Sequence, residues 1–136
     1  MIIIQNGQVI DPKSQIDEIM DIVIEDGKIT DMGFDIGKKY AEKAASKEKT
    51  DTMILNADNL VVAPGLIDVH VHFRDPGLTY KEDLHTGAKA AAKGGFTTVV
   101  CMANTKPPAD NVETVEYILE EGKKTGIHIL PRNNNH

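Results

Sequence analysis

With 136 residues, 40% of them hydrophobic, the chain is long enough for one modest domain with a real core. No apolar run approaches the ~20 residues that a membrane span needs. A formal net charge of −6 opposes the clustered cationic surface that a nucleic-acid partner requires, so neither membrane nor nucleic acid is expected. The opening segment Met1–Gly7 lacks the basic flank and cleavage site of a secretory signal, which predicts a cytoplasmic location. The single cysteine, Cys101, can form no internal disulfide. It lies in the apolar run Thr98–Met102 and reads as a buried strand residue.

Short strands come first. Ile22–Glu25 and Lys28–Thr30 flank Asp26-Gly27, a pair that supplies the positive φ angles of a type I′ hairpin turn. Asn6-Gly7, between Ile2–Gln5 and Gln8–Ile10, repeats the signal. The run Lys38–Lys49 interleaves lysine with glutamate and reads as a solvated helix or mobile loop. Met53–Leu55 and Leu60–Val62 add two short strands. Residues 1–62 are thus expected to form part of a small antiparallel β module, sandwich-like in build.

The pattern changes at Pro64-Gly65. Leu66–His72 predicts a strand, and a loop through Pro76-Gly77 leads to Thr79-Tyr80-Lys81-Glu82, which has the spacing of a helix capping box. An alanine-rich helix runs to about Lys93, where Gly94-Gly95 stops it. Phe96–Met102 predicts a second strand, apolar enough to be buried on both faces. Asp110, with Glu113 three residues on, is expected to cap a second helix whose apolar face is Val112, Val115 and Leu119. Gly126 ends it and Ile127–Leu130 opens a third strand. Strands alternating with helices imply parallel βαβ units, which begin both (β/α)8 barrels and open doubly wound sheets. About two and a half such units cannot close a barrel, which takes ~250 residues.

The segment Asp68–Gly77 carries the chemistry. Side chains alternate along a strand, so His70 and His72 share one face, about 7 Å apart, while Val69 and Val71 face the covering helices. Imidazoles so placed, near the C-terminal end of a parallel strand, can converge on one divalent metal. A catalytic zinc needs at least one more protein ligand and an open position for water.

Ala63–Gly77, with its Asp68-Val69-His70-Val71-His72-Phe73-Arg74-Asp75-Pro76-Gly77 core, strongly resembles the first barrel strand and loop of dihydroorotases in the amidohydrolase superfamily. Gly94–Val99 and Met102-Ala103-Asn104-Thr105-Lys106-Pro107-Pro108 are similar to that family's second strand and its Met-Pro-Asn-Thr-x-Pro loop. The resemblance runs from residue 1 to about Pro131. It implies an α/β fold: the first two to three βα units of a (β/α)8 TIM-type barrel over residues 63–131, incomplete here, after the β module.

The resemblance further implies that His70 and His72 ligate zinc, one or two ions in the complete protein. It also gives His72, Arg74 and Asn104 to the substrate. A guanidinium forks onto a carboxylate with two charge-assisted hydrogen bonds, and an asparagine amide adds an orienting donor. The implied reaction is the reversible hydrolysis of (S)-dihydroorotate to N-carbamoyl-L-aspartate in pyrimidine synthesis. The family's proton-shuttling aspartate and later metal ligands have no counterpart in these 136 residues, so this chain by itself is expected to be inactive. A homo-oligomer is implied for the full-length form, with aspartate transcarbamoylase as a further partner.

Asp68 reads as a support for the histidines or a floor residue, and Asp75 as a loop-shaping group. His85 is expected to be exposed on the first helix and His128 to be structural. Ala103 stands where the family has proline, and Asp35–Thr52 looks like a surface insertion. Residues 132–136 form a polar tail foreign to a barrel strand, which predicts a truncated or frame-shifted product or a partial gene model. Two other readings remain. One is a non-catalytic scaffold for aspartate transcarbamoylase, which intact His70, His72, Arg74 and Asn104 oppose. The other is a hydantoinase- or allantoinase-type cyclic amidase, against which Arg74 and its Phe-Arg-Asp-Pro-Gly run speak.

Overall fold

The computed structural model describes residues 1–46 and 51–132. The chain divides into two compact units, Met1–Pro64 and the segment from Gly65 onward. No helix among the described residues is long and apolar enough to cross a membrane.

The first unit is one mixed sheet. Its strands are β1 (Ile2–Asp11), β2 (Ile16–Glu25), β3 (Lys28–Gly33), β4 (Met53–Asn56) and β5 (Val61–Val62). The order is β3-β2-β1-β4, with β5 also paired to β1. Asp26 at φ 50° and Gly27 at φ 73° make the hairpin turn between β2 and β3 that the sequence predicts. Asn6-Gly7 makes none. β1 runs through it, its register to β2 breaks between Ile4 and Gly7, and Asn6 takes φ 63°. A residue that tolerates the left-handed region serves a bulge as readily as a turn. Here Asp21 accepts the Asn6 N–H at 2.9 Å.

β4 and β5 run parallel to β1 rather than antiparallel. A parallel return needs a crossover, and α1 (Gly37–Ser46) lies within it. The lysine-rich run is therefore helical up to Ser46, while Lys47–Lys49 lie outside the described residues. The helix packs on β1 and β2. Gly37 donates its N–H to Asp21 at 2.7 Å, the Tyr40 hydroxyl donates to Asp31 at 2.8 Å, and Ala44 is buried. Among the described residues this unit is a single sheet with a helix on it. Ile3, Val9, Ile22 and Val23 form its buried centre.

The second unit is a βαβαβ chain: β6 (Leu66–Val71), α2 (Leu84–Lys93), β7 (Phe96–Cys101), α3 (Val112–Gly122) and β8 (His128–Pro131). The three strands are parallel in the order β6-β7-β8. Phe73, Leu84, Ala88, Val99, Cys101, Ala103, Ala109, Ile118 and Ile129 make the core. Pro64-Gly65 leads in where only a glycine fits, since a Cβ on Gly65 would lie 2.1 Å from the Thr97 side chain.

Both helix starts lie one step or more from the sequence expectation. α2 is capped by Asp83, which accepts the Thr86 N–H at 2.7 Å, while Thr86 Oγ1 accepts the Asp83 N–H at 3.3 Å. Thr79–Glu82 is turn and coil instead. α3 is capped by Asn111, not Asp110, through the Thr114 N–H at 2.9 Å. Its buried stripe is Thr114, Ile118 and Gly122, with Val112 and Leu119 exposed. Gly94-Gly95 does stop α2, Gly95 taking φ 83°. On β7 only Val99 and Cys101 are buried, because the helices cover one face. The β7–β8 ladder continues to Arg132, whose N–H donates to the Cys101 carbonyl at 2.8 Å. The rest of the polar tail, 133–136, lies outside the described residues.

Candidate functional site

β6 ends at Val71, so His72 is the first residue beyond it. The alternation expected along β6 is interrupted, for its register to β7 slips between Asp68 and Val71. Val71 packs on the core, whereas Val69 is exposed. Asp68 turns its carboxylate back on the chain and accepts the His70 N–H at 2.9 Å. The ring centroids of His70 and His72 are 5.1 Å apart at an interplanar angle of 68°, and the two Nε2 atoms are 3.3 Å apart.

The second loop completes the group. After Cys101, residues alternate between core and surface: Ala103 and Thr105 are buried, and Asn104 between them is exposed. Ala103 is thus a core position as well as a loop one. Asn104 Oδ1 lies 2.9 Å from His72 Nδ1. A carbonyl oxygen can only accept, so in this contact His72 donates from Nδ1.

The donor set can be tested against zinc. Two nitrogens each about 2.0–2.1 Å from one tetrahedral ion stand roughly 3.3–3.4 Å apart. The Nε2 pair has that separation, and His72 carries its proton on the far side of the ring. These two imidazoles fit as part of a zinc site. Among the described residues no group of three His, Cys, Asp or Glu could hold a metal.

Two loops are fastened beneath the histidines. The Met102 N–H donates to the Val71 carbonyl and the Lys106 N–H to the Pro76 carbonyl, both at 2.9 Å. Gly77, at φ 92°, sits so close that a Cβ there would lie 1.9 Å from the Lys106 carbonyl oxygen. Buried Asp75 holds the first loop from below: one oxygen accepts the Leu84 N–H at 3.2 Å, the other the Tyr117 hydroxyl at 3.0 Å. That bond and desolvation, the latter foremost, push the Tyr117 phenol up to about 12. Asp75 thus shapes the loop, but nothing in the sequence marks Tyr117 as its partner.

Arg74 follows at φ 63°, half-buried, and among the described residues no hydrogen bond joins its side chain to the histidines or Asn104. His85 pairs with Glu121 at 3.2 Å and links α2 to α3, a role its expected exposure did not suggest. His128 is exposed on β8, paired in register with Thr98. Burial raises the Cys101 thiol to about 12, which removes it as a nucleophile.

The family model described as Dihydro-orotase-like matches residues 59–134, more than half the chain. A dihydroorotase of Clostridioides difficile is 53% identical over 131 residues, covering 96% of this chain and 28% of that protein. The chain therefore spans little more than a quarter of the length of that curated relative. Among solved structures, L-hydantoinase (dihydropyrimidinase) from Arthrobacter aurescens superposes with a TM-score of 0.72 at 25% identity, covering 97% of this chain and 27% of that one. A mutant of atrazine chlorohydrolase TrzN from Arthrobacter aurescens TC1, complexed with zinc and atraton, gives 0.63 at 22% identity, covering 98% and 35%.

Proposed function

The chain belongs to the dihydro-orotase-like family, and on that premise we propose that it is part of a dihydroorotase, a zinc hydrolase that interconverts (S)-dihydroorotate and N-carbamoyl-L-aspartate. The observation that carries this reading is the 3.3 Å pair of Nε2 atoms on His70 and His72, with Asn104 behind the second ring. The three parallel strands with helices on one side would be the start of a (β/α)8 barrel, with the site at the strands' C-terminal ends. The same reading makes the whole protein a cytoplasmic homo-oligomer, with aspartate transcarbamoylase as a candidate partner.

His70 and His72 would hold zinc through Nε2. When bound, zinc supplies Lewis-acid polarisation of the ring carbonyl and lowers the pKa of water at the site. Arg74, beside them in sequence, would fork onto the substrate's α-carboxylate, and the Asn104 amide would donate to the same group. These contacts orient the ring and hold its charge away from the reacting amide. The fastened loops keep Asn104 and the histidines in one frame, so that orientation costs little when substrate binds.

The test uses a full-length protein carrying this segment, assayed against dihydroorotate, hydantoin and allantoin. Dihydroorotate is expected to be the preferred substrate, and Arg74→Ala to lower its kcat/KM by about 100-fold, near the loss of two charge-assisted hydrogen bonds. Preference for hydantoin, or indifference to Arg74→Ala, would replace this reading with that of another cyclic amidase. No turnover of any of the three with zinc bound would favour a scaffold.

A further inference from the structure

We propose that Asn104 is a positioning residue for the metal as well as a substrate contact, and that its two amide atoms divide the work. Oδ1 faces His72 Nδ1 at 2.9 Å. By accepting that proton it fixes the tautomer in which Nε2 is bare, the form a metal ligand must have. Without it, neutral imidazole is free to carry its proton on Nε2, which would then point at His70 Nε2, 3.3 Å away. The amide NH2 is left over with two donors. No other hydrogen bond of the Asn104 side chain exists among the described residues, so those donors are available to an anion. A carboxylate bound there and the metal ligand would then be joined through a single planar group. This inference rests on the reading of His70 and His72 as zinc ligands.

The geometry explains why an amide suits the place. An aspartate would accept from His72 as well, but it would repel a substrate carboxylate. An alanine would do neither. A leucine has the same branched heavy-atom skeleton as asparagine and no acceptor. Asn104 is exposed, so none of these changes opens a core cavity.

Zinc affinity is measured by competition with a chromophoric chelator in the full-length protein carrying this segment, for Asn104→Ala, Asn104→Leu and Asn104→Asp, with dihydroorotate KM in parallel. Loss of a partner behind a metal-bound histidine typically weakens zinc about 10–100-fold. Asn104→Ala and Asn104→Leu are expected to show that loss together with a raised KM. Asn104→Asp is expected to keep zinc affinity at or above the starting level while KM alone rises. Unchanged zinc affinity in Asn104→Ala and Asn104→Leu would overturn the positioning role. So would a loss in Asn104→Asp as large as in the other two. His70→Ala and His72→Ala stand as controls: if they leave zinc affinity untouched, the metal reading itself fails, whatever Asn104 does.

Discussion

Two residues at the site take their meaning from atoms that a sequence does not display. The pair His70 and His72 is legible as His-x-His, and a spacing of about 7 Å along the strand lets the rings converge without fixing where their tips meet. In the structure the two rings turn toward each other and their Nε2 atoms lie 3.3 Å apart. Tyr117 is the opposite case. It lies 42 residues from Asp75, on a helix face that reads as solvent, yet its hydroxyl donates to a buried carboxylate. Tyr117→Phe should remove that bond and loosen the Arg74 loop by about 1 kcal/mol, because Tyr117 is half-exposed and water can partly replace it. Faster amide exchange over residues 74–84, relative to the unchanged protein, would be the signature; unchanged exchange would make the bond ornamental. For Cys101, a thiol held near 12 by burial should resist aromatic disulfide reagents until denaturant is added. Prompt labelling of the native protein would place it at the surface.

Element boundaries were legible as kinds rather than as places. The alanine-rich helix and its Gly94-Gly95 stop read directly, but several polar residues before α2 compete for its cap, and only backbone geometry selects Asp83. In α3 the buried stripe Thr114, Ile118 and Gly122 contains a hydroxyl and a glycine, which apolar counting overlooks. Gly122 is buried because Ile129 lies against it, 3.1 Å from where a Cβ would stand. Asn111→Ala should cost α3 about 1 kcal/mol, read as faster amide exchange in its first turn. Asp83 gives a pH dependence. The Thr86 backbone N–H holds its carboxyl below the ordinary value of 3.8. A lowered folded pKa stabilises above the unfolded value and is lost as pH falls through the folded one. Helical signal should therefore drop on acidification below about 3.8, and Asp83→Asn, which keeps the accepting oxygen, should blunt that part of the drop.

At the scale of the molecule, the change of pattern at Pro64-Gly65 was plain in the sequence, since β-hairpin signals give way there to strand-helix alternation. The parallel return of β4 and β5 was not, because direction depends on what the intervening chain does, and α1 turned it round. Ile67, Val69 and Leu130 stand exposed on the strands of the second sheet, and both its outer strands lack a neighbour on one side among the described residues. Such edges and apolar faces invite self-pairing. The 136-residue chain, purified alone, is expected to self-associate and to show no dihydroorotate turnover, having two candidate zinc imidazoles and no third donor among the described residues. A monodisperse, active monomer by sedimentation and assay would contradict both expectations. The clasp between Gly77 and Lys106 has a practical corollary for anyone recombining these proteins. Because a backbone carbonyl fills the space a side chain would take, the loops after β6 and β7 are matched as key and lock. A chimera that imports one of them without the other should misfit at that seam, whereas importing the two as a pair should carry the site across intact.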